Sequence, residues 1–287
     1  MPEWRSSFAI TLAIWVGGGV FLRRAVGARA RRALRDAADL LGARVPCPEA
    51  IAHRFVQRER ARLLGIWVAW GVASVLMCVA DVRGFRVDGV AWLMLALAGG
   101  LAAGLAVLHA PAVAAPGPRI ARIEARDLRD YVHPAQRVGV PLGAAALVAA
   151  ATLSLVRFAA GERAGWVLLA PAVAGVAVLL AVVGRVGAGR VLRRPAPAAR
   201  VEDLAWHEVL RAMALSDLVV VQALALNGAA AFLALGALGQ GGHVRPAAVA
   251  ILAVAVLAWV AVGWAETIDR CGWFGRHAGR AVGVVTR

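Results

Sequence analysis

Seven stretches of the chain, each roughly the ~20 residues of a membrane-crossing helix, contain no charged side chain. They run Ser6–Leu22, Leu63–Ala80, Gly89–Leu108, Val138–Val156, Trp166–Val183, Leu218–Leu238 and Ala247–Trp264. An α-helix rises 1.5 Å per residue, so each stretch is about long enough to cross the ~30 Å hydrocarbon layer of a bilayer. A water-soluble fold would have to enclose all seven as fully buried helices within 287 residues. Composition argues the same way. Hydrophobic residues make up 61% of the chain, against about 45–50% in soluble domains even with glycine counted. The expected fold is an all-α integral membrane protein, a seven-span helical bundle forming one transmembrane domain over residues 1–287.

All 32 basic residues are arginine, against 17 acidic ones, giving a net charge of +15. A charge of that size suits nucleic acid or anionic lipid. Here the arginines are confined to the segments between apolar blocks, which favours membrane orientation and no nucleic-acid partner. Segments 23–62, 109–137, 184–214 and 265–287 hold 26 of the 32. Short arginine-rich segments stay cytoplasmic. The N-terminus is therefore expected outside and the C-terminus cytoplasmic, which an odd number of spans requires. Trp4, Trp92 and Trp166 then fall near outer span ends and Trp67 and Trp264 near inner ends, as interfacial rings do. The expected location is a cell membrane, and the composition points to a bacterial inner membrane. The first block lacks a small-residue cleavage site and is flanked by Arg23 and Arg24, so it is expected to be a retained span rather than a signal peptide.

The tripeptide Ala43-Arg44-Val45 recurs as Ala121-Arg122-Ile123 and again as Ala199-Arg200-Val201, and the two separations are equal. Each copy precedes two apolar blocks with a short connection. This suggests one span followed by three tandem helical-hairpin repeats, 43–120, 121–198 and 199–276. The units start on the same side, unlike the inverted repeats of many transporters.

Chemistry-bearing residues are few. Covalent retinal, which some seven-span proteins carry, needs a lysine, and the chain has none. The same lack excludes a phosphate-binding GxxxxGK[ST] loop, and no HExxH or GxSxG occurs. Cys47, Cys78 and Cys271 form no CxxC pair. No cofactor, metal site or catalytic constellation is expected. Inside the apolar blocks the polar residues that stand out are on the sixth, where Asp217 sits at its edge and Gln222 and Asn227 within it. Steps of five residues separate their directions by about 140°, so a straight helix points them at different neighbours. They are the candidate intramembrane polar contacts. Gly100 and Gly104 form a GxxxG in the third block, a spacing that lets helices approach closely in lipid.

In 23–42, Val26, Ala30, Leu34, Ala37 and Leu41 recur at helical spacing, while Arg24, Arg31, Arg32 and Arg35 take other faces. This predicts a basic amphipathic helix, with those four arginines as candidate contacts to anionic headgroups on the cytoplasmic side. The expected role is a non-catalytic membrane component, a permease-like subunit, scaffold or regulator acting with a protein partner or as a homo-oligomer. The alternative is a transporter of an apolar or amphiphilic solute, and a membrane-embedded enzyme stands behind both.

Overall fold

The computed structural model describes residues 26–38, 47–82, 127–162, 164–193, 201–239 and 245–267, and among them all regular structure is helical. Helix α1 covers 26–38. It is followed by α2 (Glu49–Val82), a 3-10 turn (Leu128–Asp130), α3 (Pro134–Ala159), α4 (Gly165–Arg193), α5 (Val201–Gly239) and α6 (Arg245–Thr267). Four of these are long and apolar enough to cross a membrane, namely α3, α4, α5 and α6. They match the last four apolar blocks. The block Leu63–Ala80 falls inside α2. The blocks Ser6–Leu22 and Gly89–Leu108, the Gly100–Gly104 pair, Arg24 and Cys271 lie outside the described residues.

Local chemistry fixes the helix ends. His133 caps α3, its Nδ1 accepting from the Ala135 amide at 3.1 Å with Pro134 in the first turn, where a proline has no helical donor to lose. The far end of α3 closes at Gly161, whose φ of +88° suits a residue without Cβ. There Glu162 N–H bonds to Arg157 O and Gly161 N–H to Phe158 O, both at 3.0 Å, the double closure of a helix C-terminus. Arg157 also pairs with Glu162 across the turn, and α4 starts at Gly165.

The centre of the bundle is α5. In its apolar window 78% of residues are buried, against 28–33% in the windows of α3, α4 and α6. Those three surround α5 and turn their remaining surface outward. The outward residues are apolar, as in Val148 and Leu155 of α3, Leu179 and Val183 of α4, and Leu257 and Val260 of α6. Surfaces of this kind are unfavourable in water and neutral in hydrocarbon.

Lipid supplies no hydrophobic drive between spans, so the contacts must come from close fit. Glycines set that fit. A methyl on Gly139 of α3 would lie 2.5 Å from Val262 Cγ2 of α6, and one on Gly143 would lie 2.7 Å from Asn227 Nδ2 of α5. On α4, a methyl on Gly184 would lie 2.6 Å from Gln222 Cγ and 3.1 Å from the Leu218 carbonyl. Near the other end of α5, Gly236 receives the ring of Trp166.

The helix α5 has 39 residues, so it is ~58 Å long, nearly twice the hydrocarbon thickness. Two cores divide it. The first joins α3, α4, α5 and α6 around Ala150, Ala177, Leu233 and Ile251. The second is built on the N-terminal part of α5 from Trp206 to Val221, with Ala37 of α1, Phe55 of α2, Val132 before α3, and Val191 at the end of α4. It lies at the arginine-rich end. Of the apolar stripe expected on 23–42, Ala37 is buried in this core and Leu34 packs against it, Ala30 is buried as well, and Leu41 lies outside the described residues. Protein rather than the membrane surface covers that stripe, while Arg31, Arg32 and Arg35 are exposed on the other faces. The helices α2, α3 and α5 end at Val82, Ala159 and Gly239.

Close approach at Gly143 and Gly184 makes them intolerant of a methyl. Gly143→Ala and Gly184→Ala should each lower stability by about 1–3 kcal/mol through overpacking. Gly175→Ala, on an open face with nothing within 4 Å, should be neutral or stabilising by up to ~1 kcal/mol. Thermal unfolding in detergent checks the contrast.

Candidate functional site

A column of buried polar residues runs along α5: Glu208, Arg211, Ser216, Asp217, Gln222 and Asn227. The three residues singled out by sequence are all buried, and they point to different neighbours. Asp217 faces α2. Gln222 donates to the Leu218 carbonyl one turn back at 3.1 Å and lies under Gly184 of α4. Asn227 donates to the Ala223 carbonyl at 2.8 Å and to the Gly139 carbonyl of α3 at 3.4 Å. The structure therefore does not bring the three together.

It instead joins residues that the sequence did not single out. Arg58 of α2 pairs with Asp217 through one guanidinium nitrogen and with Glu59 at 2.9 Å through another. Arg62, one turn further along α2, lies 3.8 Å from the same Asp217 carboxylate. On the opposite side of the second core, Glu208 accepts from the Tyr131 hydroxyl at 2.6 Å and from Arg211. Between these groups, Gln136 of α3 and Ser216 of α5 exchange hydrogen bonds of 3.0 and 3.3 Å. Among the described residues three arginines stand against three carboxylates, so these six groups balance in charge. Balance is needed, because an unpaired ion taken out of water costs several kcal/mol.

The site's depth follows from helix geometry. From Leu218 to Gly239 the axis rises ~32 Å, about one hydrocarbon thickness. The stretch 218–238 carries no charge. The Asp217 ion pairs therefore sit within the second core, at the residue before the charge-free part of α5 begins. Phe55 and Trp206 meet edge to face with centroids 6.2 Å apart and join α2 to α5 on the far side of those pairs.

In the second core Tyr131 is held neutral. Burial, then the hydrogen bond from its hydroxyl to Glu208 and the charge of that carboxylate, pushes its phenol up to about 12. A phenol is uncharged when protonated, so a folded value above the ordinary one favours folding below pH ~10 and loses that contribution as pH rises from 10 towards 12.

Pairing over 159 positions, as between Arg58 and Asp217, leaves no local trace in a sequence. One signal was present. Trp206, Val209, Ala212 and Leu215, buried at helical spacing, extend the apolar periodicity of the sixth block back through its charges, and that extension is what places Glu208 and Arg211 on a buried helix. Among the described residues no group of three or more His, Cys, Asp or Glu is placed to hold a metal ion.

Asp217→Asn should cost about 3 kcal/mol by leaving Arg58 short of a counter-charge, whereas replacing the pair by Arg58→Met with Asp217→Leu should cost clearly less than the two single changes summed. A double-mutant cycle in detergent measures this. Tyr131 is the only tyrosine of the chain, so absorbance of its phenolate reports on it alone. Its midpoint should fall near 12 in the folded protein and move down towards 10 in Glu208→Gln. A midpoint of about 10 in the unmodified protein would show that the phenol is not buried against Glu208.

The chain matches no protein-family model, and it matches no curated protein and no solved structure.

Proposed function

We propose that this chain is a non-catalytic, multi-pass component of a cell membrane: a permease-like subunit, scaffold or regulator that works with a partner. In this reading it has seven spans, with the arginine-rich end in the cytoplasm. It consists of one span followed by three helical-hairpin units.

The observation that carries the reading is the fit around α5. The polar residues inside the span are taken up by helix contacts. Asn227 abuts Gly143 and Gln222 abuts Gly184 so closely that a single added methyl would collide with each. A solute path past those side chains needs room that the packing does not leave. Further along α5, Glu208 pairs with Arg211 and Asp217 with Arg58 of α2, and these pairs lie in the second core, most of which projects beyond the hydrocarbon. A helical platform of that kind, anchored by the span itself, suits contact with a partner.

Transport of an apolar or amphiphilic solute is the second reading. One observation favours it: the buried Asn227 Oδ1 has no hydrogen-bond partner among the described residues. Asn227→Ala separates the two. As a packing residue, Asn227 should cost about 0.6–2 kcal/mol of stability when truncated, with association to other membrane proteins unchanged in mild-detergent purification and mass spectrometry. Loss of solute flux in reconstituted vesicles, in a variant that still inserts and folds, would favour transport instead.

A further inference from the structure

The outward stripe of α4 changes character along its length. Leu179, Val183 and Val186 are exposed and apolar, and the next exposed positions on the same line are Arg190 and Arg193. At 100° per residue these five side chains fall within about 80° of arc. The surface that faces hydrocarbon therefore continues, without turning, into two guanidinium groups one turn apart. The opposite face of the same turns holds them in place, since Ala188 and Val191 are buried in the second core.

Depth gives an independent fix. Gly187 of α4 lies level with Leu218 of α5, a methyl on it coming within 3.2 Å of the Leu218 side chain. Leu218 marks the end of the ~32 Å charge-free rise along α5; on α4 the exposed Arg185 lies ~3 Å inside that level, off the line of the apolar stripe. Arg190 and Arg193 lie three and six residues past Gly187, so they stand roughly 4 and 9 Å beyond the hydrocarbon edge. Headgroups occupy a layer about 5–8 Å deep on each side, so Arg190 stands within it and Arg193 at its outer rim. Among the described residues neither arginine has a carboxylate partner. Both also lie in the last turn of α4, where the helix dipole favours cations.

We propose that Arg190 and Arg193 bind the phosphate of an anionic phospholipid whose acyl chains lie along Leu179, Val183 and Val186. Arginine's planar fork matches a phosphate bidentately, and two guanidiniums at headgroup depth select a lipid with net negative charge over a zwitterionic one. These arginines are distinct from those of α1, whose apolar stripe is turned into the protein.

The inference rests on the membrane reading, so the experiment begins by confirming that the full chain resists alkaline extraction from membranes. The protein is then reconstituted in nanodiscs of phosphatidylglycerol mixed with phosphatidylcholine, released into the gas phase, and its retained lipids identified by native mass spectrometry. Phosphatidylglycerol should be enriched well above its share of the mixture. Each surface arginine contributes about fivefold to anionic-lipid binding, so Arg190→Gln with Arg193→Gln should cut the enrichment by roughly 25-fold. Arg190→Lys with Arg193→Lys should keep most of it. Retention of phosphatidylcholine in proportion to the mixture by the unmodified protein would overturn the proposal, and this arm needs no variant to fold. Unchanged enrichment in the glutamine pair would overturn it equally. Extraction at alkaline pH would instead refute the membrane reading beneath it.

Discussion

Within the second core, at the residue before the charge-free part of α5, the Asp217 carboxylate lies between the guanidiniums of Arg58 and Arg62. Beyond it the stretch 218–238 carries no charge. Hydrocarbon forbids unpaired polar groups, so this transition sets how far the apolar part of α5 reaches and where its charged part starts. The polar residues beyond the ion pairs are neutral and bonded to backbone carbonyls within reach. Before those pairs, Glu208 pairs with Arg211 and Ser216 bonds with Gln136 of α3.

This arrangement explains a 39-residue helix in a chain whose apolar blocks are half that length. A sequence window stops at the first charge, because one isolated charge ends a span. A helix continues past that charge if the charge is paired. Arg211 with Glu208, and Asp217 with Arg58, supply the pairs, and Trp206 and Leu215 supply apolar contacts to pack the extension. The stability comes from fit as much as from charge. Buried ion pairs contribute little net energy over apolar residues of similar size, while a broken pair is costly. Their larger effect here is to fix which turn of α2 faces which turn of α5.

The sequence therefore made some features legible and hid others for identifiable reasons. Span positions on α3, α4, α5 and α6 were readable because hydrocarbon imposes length and apolarity on a contiguous stretch. The divergent directions of Asp217, Gln222 and Asn227 were readable because helical geometry is fixed. The ion cluster was not, since its partners come from α2, from the segment before α3 and from α5, and arginines counted for orientation carry no mark of burial. The close-packing glycines were half legible. The spacing Gly139 to Gly143 is a GxxxG as plain as Gly100 to Gly104, yet nothing in the spacing says which neighbour it meets. The stripe on 23–42 shows the same limit: periodicity reveals an apolar face but not whether protein or lipid covers it.

On this reading the hydrocarbon edge crosses the molecule at the level of Leu218 and Gly187. A nitroxide scan along the outward stripe of α4 tests that placement most directly, with single cysteines at Val176, Leu179, Val183, Val186, Arg190 and Arg193 in a background lacking Cys47, Cys78 and Cys271. In bilayers, dissolved oxygen should relax the labels from Val176 to Val186, and a water-soluble nickel chelate should take over at Arg190 and Arg193. A chelate that reaches Leu179 or Val183 as readily as Arg193 would put the edge elsewhere and contradict the account.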